Sequence, residues 1–104
     1  MRTSGLHPEA SLDIEEIWEY IARDSLDAAD RVISEIEAAI SNVTASPEIG
    51  HRRPDLTSRP FRFLRLYEYL IAYVTEEDRL FVIAVLHGRR NPKLLASLLD
   101  DRQQ

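Results

Sequence analysis

Three observations predict an α+β fold for this sequence. Apolar residues recur at helical spacing between positions 8 and 45, short β-branched and aromatic runs follow after position 60, and a stretch marked by Pro and Gly separates the two halves. Helices followed by strands, rather than alternating with them, argue for segregated layers. The expectation is an N-terminal antiparallel helical hairpin packed on an antiparallel three- to four-stranded sheet, with a short C-terminal helix. A chain of 104 residues supports one core, so a single domain over 1–104 is expected.

Taken in order, Met1 to His7 is weakly patterned and reads as a short strand or a tail. Pro8 suits the first turn of a helix, where its missing N–H costs nothing, and Glu9 favours the positive helix end. Ile14, Ile17, Trp18 and Ile21 then form a stripe with acidic residues opposite, predicting a helix over 8–24 with Trp18 in the core. Ser25 or Asp27 can cap a second helix over 26–45, whose stripe runs from Ala28 through Val32, Ile36 and Ile40 to Val43. So short a link makes the two helices a hairpin. Pro47 and Gly50 end it, and 51–60, with Pro54 and Pro60, reads as a loop returning to the sheet.

Three strands are expected over 61–66, 69–75 and 80–87. The last, Leu80 to Leu86, is an unbroken apolar run that must be covered on both faces, which places it inside the sheet. In the first, Phe61 and Phe63 share one face with Arg65, and Arg62 shares the other with Leu64 and Leu66. Tyr67-Glu68 lacks the Gly or Asn of a tight turn, and Thr75 to Arg79 reads as a five-residue loop. Asn91 can cap a final helix over 92–99 with Pro92 at its first position, and Asp100 to Gln104 reads as a fraying tail.

Hydrophobic residues at 44% and charged ones at 30% describe a globular rather than a disordered chain. Without cysteine there is no disulfide and no thiolate metal site. The N-terminus carries no apolar core of signal-peptide length and no run approaches a membrane span, so a cytoplasmic location away from membranes is expected. The net charge of −5 divides unevenly: residues 1–50 hold three Arg against eleven acids, and residues 51–104 hold nine Arg and one Lys against seven. A net acidic chain is poorly suited to sequence-specific nucleic-acid binding, whereas a local arginine patch suits one acidic partner.

Asp13-Ile14-Glu15-Glu16-Ile17-Trp18-Glu19-Tyr20-Ile21, Ala29 to Ile40, Pro47 to His51, Arg62, Tyr69-Leu70-Ile71-Ala72-Tyr73 and Val85-Leu86-His87-Gly88-Arg89-Arg90 stand in an order that resembles the ParE/RelE toxin superfamily, and within it the ParE branch. The resemblance covers roughly residues 6–96. It implies the toxin of a type II toxin–antitoxin system, of the kind linked to plasmid stabilisation, neutralised by a cognate antitoxin whose C-terminal segment orders on binding. ParE-like members poison DNA gyrase. RelE-like members cut messenger RNA on the ribosome, and a non-toxic module that only binds antitoxin is a further possibility.

The residues divide between these readings. A nuclease would draw on His87 as acid or base, with Arg62 and Arg89 stabilising the developing charge. RelE-like nucleases, however, are strongly basic, and this chain has a single lysine, Lys93. The preferred reading assigns no catalytic residue, no cofactor and no metal. His87 then shapes the turn with Gly88, and Arg62 and Arg65 pair with a partner or with Glu68. The expected partner-binding set is Arg62, Arg65, Tyr69, Tyr73, His87, Arg89 and Arg90, with Tyr20 off the apolar stripe as a further contact. Tyr69 and Tyr73 share one sheet face, either core or groove.

Overall fold

The computed structural model describes residues 3–89 and 91–102. Strand β1 (Thr3–Leu6) leads into α1 (Pro8–Ala22) and α2 (Leu26–Ala45). A single 3-10 turn (Pro47–Ile49) then precedes β2 (His51–Arg52), β3 (Arg62–Leu66), β4 (Tyr69–Glu76), β5 (Arg79–His87) and α3 (Pro92–Arg102). The caps follow the sequence. His7 accepts from the Glu9 N–H, Ser25 from the Ala28 N–H and Asn91 from the Lys93 N–H, with Pro8 and Pro92 at the first helical positions.

The α+β class holds, and the sheet is larger than expected: five strands in the order β1-β5-β4-β3-β2. It is mixed rather than purely antiparallel, because β1 pairs in parallel with β5, from Thr3 opposite Arg79 to Leu6 opposite Val82. The return loop adds the two-residue strand β2, His51 opposite Phe63 and Arg52 opposite Arg62. The five-residue loop expected over Thr75 to Arg79 shortens to Glu77-Asp78, since Glu76 still pairs with Arg79. Both tight turns open on a non-glycine residue in the left-handed region, Tyr67 at φ 56° and Glu77 at φ 54°.

Two cores sandwich the sheet. The helical hairpin buries Ala10, Ile36, Ala39 and Val43 against Ile71, Tyr73, Leu80, Val82 and Val85. On the other face α3 and the return loop bury Leu56, Phe61, Leu95 and Leu99 against Phe63, Ala72, Ile83, Ala84 and Leu86. The apolar run of β5 is thus covered on both sides, as its composition demands. Ile83 is the extra residue of a bulge, because Ala72 pairs with Ala84 and Tyr73 with Val82.

Two expectations are corrected here. Trp18 is half-buried rather than core: its indole N–H donates to Asp30 Oδ1 at 2.9 Å, sealing the seam between α1 and α2. The tail does not fray at Asp100, because α3 runs to Arg102 and anchors there on Asp13. Among the described residues, no helix is long and apolar enough to cross a membrane.

Candidate partner-binding groove

One end of the sheet gathers a cluster of polar and aromatic groups. The β3–β4 turn places Glu68 beside the end of β5, where the Gly88 N–H donates to the Glu68 carbonyl at 2.7 Å. The Glu68 carboxylate then faces two cations or potential cations, His87 Nε2 at 3.2 Å and Arg89 Nη2 at 3.8 Å. His87 Nδ1 accepts from the Arg89 backbone N–H at 3.1 Å, so the ring proton lies on Nε2, facing Glu68. Both ring nitrogens are therefore engaged in shaping the turn. Tyr69 meets the same ring edge-on, at 5.9 Å and 79°.

Beside this cluster runs a groove of about 370 Å³ between α1 and the ends of β4 and β5, floored by Ile17, Tyr69 and Val85 and rimmed by Glu16, Tyr20 and His87. Past Tyr20, Glu68 and Tyr69 it continues into a second groove of about 530 Å³ against α2, lined by Ala28, Arg31, Val32, Glu35 and Tyr67. Tyr20 and Tyr67 stand on its lips, 68% and 57% exposed. Burial, reinforced by Glu68 and Tyr20, holds the Tyr69 phenol above its ordinary value. The Tyr67 phenol is also raised, chiefly by Glu35 acting as a nearby acceptor. Glu35 Oε2 itself is buried without a hydrogen-bond partner, so the carboxylate acts on Tyr67 through its other oxygen or its field alone.

The expected site residues are dispersed by this geometry. Tyr69, His87 and Arg89 come together around Glu68. Arg65 lies at the same end on the opposite sheet face, its Nε donating to the Tyr67 carbonyl at 3.1 Å. Arg62 is elsewhere: it sits opposite Tyr73, four positions along β4 from Tyr69, or about 13 Å along the strand. Its Nη1 donates to the Gly50 carbonyl at 2.8 Å. The pairing of Arg62 or Arg65 with Glu68 is therefore corrected, because two main-chain carbonyls take those guanidiniums while His87 and Arg89 take the carboxylate.

Tyr73 is corrected as well. It is fully buried; its hydroxyl donates to the Pro47 carbonyl and accepts from the Gly50 N–H at 2.9 Å, so it ties the 3-10 turn to the sheet and does not stand on the groove. Arg90 lies outside the described residues. Sequence reasoning named Glu68 with the wrong cations and missed Tyr67 and the α2 wall of the groove, because a groove assembled from three elements leaves no spacing pattern. The off-stripe position of Tyr20 was the one available signal.

The comparisons with known proteins agree with this architecture. The family model for the ParE toxin of the type II toxin–antitoxin system parDE matches residues 6–92. Toxin ParE1 of Mycobacterium tuberculosis, from strains CDC 1551 / Oshkosh and ATCC 25618 / H37Rv, is 34% identical over 87 residues, covering 81% of this chain and 87% of the relative. A solved structure described as the chromosomal ParDE TA system from P. aeruginosa superposes with a TM-score of 0.68 at 15% identity, over 84% of this chain and 95% of that one, which speaks to the fold. On the match across residues 6–92 and the ParE1 relatives, the chain belongs to the ParE toxin family of type II toxin–antitoxin systems.

Proposed function

We propose that this ParE-family toxin acts by binding rather than by cutting: it inhibits DNA gyrase in the cytoplasm and is neutralised by a cognate antitoxin seated over the tyrosine-lined groove. The separation of Arg62 from His87 carries this reading. Phosphodiester cleavage needs acid, base and charge-stabilising groups around one reacting phosphate. Here Arg62 is bonded to Gly50 about 13 Å along the sheet from the His87 end, with β4 between the two strands. His87 spends both nitrogens on the turn. A groove with exposed tyrosines on its lips is instead the composition of a protein interface.

The test is a supercoiling assay with purified gyrase run beside a ribosome-dependent messenger-RNA cleavage assay. Inhibition of supercoiling, relieved by the antitoxin, supports the proposal. Messenger-RNA cleavage with supercoiling unaffected would replace it with the RelE-like reading. Antitoxin binding without either activity would leave a regulatory module.

A further inference from the structure

Away from the groove, a smaller pocket of about 230 Å³ opens between β2, β3 and β4, lined by Arg52, Pro60, Arg62, Tyr73, Val74 and Thr75. Arg52 and Arg62 are directly opposed in the β2–β3 register. Opposed residues of an antiparallel pair project to the same face, and like charges there repel. Among the described residues that repulsion goes unrelieved: no carboxylate lines the pocket, and neither guanidinium enters an ion pair. Glu48, which is not among the lining residues, acts on the Tyr73 hydroxyl and not through an ion pair with either arginine.

Arg62 is held in place from behind, one N–H on the Gly50 carbonyl, which leaves the rest of its five-donor fork available. Thr75 adds a hydroxyl donor, and the buried Tyr73 ring with Pro60 and Val74 provides rigid apolar walls. We infer that this pocket is a binding site for a single phosphoryl group, held by the Arg52 and Arg62 forks. A dianionic phosphoryl oxygen set matches two guanidiniums in charge and geometry better than one carboxylate does. The acidic net charge of the chain points to one bound group rather than a long polyanion.

The site stands apart from the toxin reading, and its test uses the free protein alone. Isotope-labelled protein would be titrated with inorganic phosphate at constant ionic strength, following backbone amides and arginine Nε–H signals by NMR. Saturable shifts at Arg52, Arg62 and Thr75, weakened about tenfold in affinity by Arg52→Gln, are expected. Arg52 is exposed, so that variant leaves the fold intact. Dimethyl phosphate in a parallel arm separates the sources: tighter binding of inorganic phosphate assigns a free or terminal phosphoryl group, and tighter binding of the diester assigns a backbone phosphate. Shifts that chloride or acetate reproduce, that do not saturate, or that survive Arg52→Gln would overturn the assignment.

Discussion

Asp13 of α1 and Arg102 of α3 meet in a two-pronged ion pair, Oδ2 to Nη1 at 2.6 Å and Oδ1 to Nη2 at 3.0 Å. The pair joins elements from the two opposite layers, and each side chain is only 9% exposed. It also finishes the sheet. Beyond the end of β1, Asp13 accepts the Val85 N–H at 3.0 Å and Arg102 donates to the Ile83 carbonyl at 3.3 Å, covering polar edge groups of β5 that β1 is too short to reach.

Removing one partner therefore strands a buried charge. Arg102→Met is expected to destabilise the fold by about 3–5 kcal/mol in urea denaturation. Asp13→Leu with Arg102→Met should recover part of that loss, and a double variant that loses the full sum would mean the two groups act independently.

Gly50 and Tyr73 form a second coupled pair. A Cβ on Gly50 would fall onto the Tyr73 hydroxyl and stand 2.9 Å from Cζ, so the glycine is required by close approach. Gly50→Ala should cost about 1–3 kcal/mol through overpacking. Tyr73→Phe should cost about 1–3 kcal/mol by leaving the Gly50 N–H and the Pro47 carbonyl without this hydroxyl. Thermal melts of the single and combined variants should give a combined loss below the sum.

Alkaline pH should unfold the protein early. Burial raises Tyr73 and Tyr69 above the ordinary phenol value of 10.0, so the folded state holds these protons more tightly than the unfolded state. Their contribution is fully present below about 10 and is lost as pH rises through the folded values. Denaturation midpoints should fall above pH 10, and less steeply in Tyr73→Phe; an identical slope in that variant would remove Tyr73 from the account.

His87→Ala should leave target inhibition largely intact, since the imidazole serves the turn. A general acid or base would instead contribute roughly 10²- to 10⁴-fold. Dose–response curves for the folded, antitoxin-binding variant decide between these outcomes.

Antitoxin binding should depend on the groove and on its exposed cations. Tyr20→Ala is expected to weaken affinity by more than about 1 kcal/mol. Charge reversal at Arg65 and Arg89 should slow association, with added salt reproducing part of the effect. Calorimetry and stopped-flow mixing at two salt concentrations measure both, and an unaltered rate in the reversal variant would direct the arginines elsewhere. Arg62→Glu is a poorer probe, because it also removes the Gly50 contact.

The helices, the three long strands and their facing were legible because each rests on local periodicity and capping. Ser25, Asn91 and the two N-terminal prolines fixed helix starts through chemistry within three residues. Less local features escaped. The parallel docking of β1 and the reach of Arg102 to Asp13 span 76 and 89 positions, and no periodic signal links residues so far apart. Tyr67 and Glu77 hid the tightness of their turns, because neither is a residue type that favours the left-handed region. The groove was legible only in part: Tyr69, His87 and Arg89 were named from their strand ends, whereas Tyr73 and Arg62 share the same strand faces as true surface residues and differ only in what the 3-10 turn sets against them.

The unpaired Ile83 has a reach beyond its own position. Val82 and Val85 both face the helical hairpin, while Ile83 and Ala84 both face α3, so alternation slips by one within the strand. His87 consequently lands on the side of Tyr69 and Tyr20. In an evenly alternating strand, odd and even would exchange beyond that point, and the imidazole would project toward α3, with the Leu86 side chain turned to the helical face. What β5 contributes to this end of the molecule is thus a matter of counting: one residue more or fewer upstream would exchange an imidazole for an aliphatic side chain beside Tyr69.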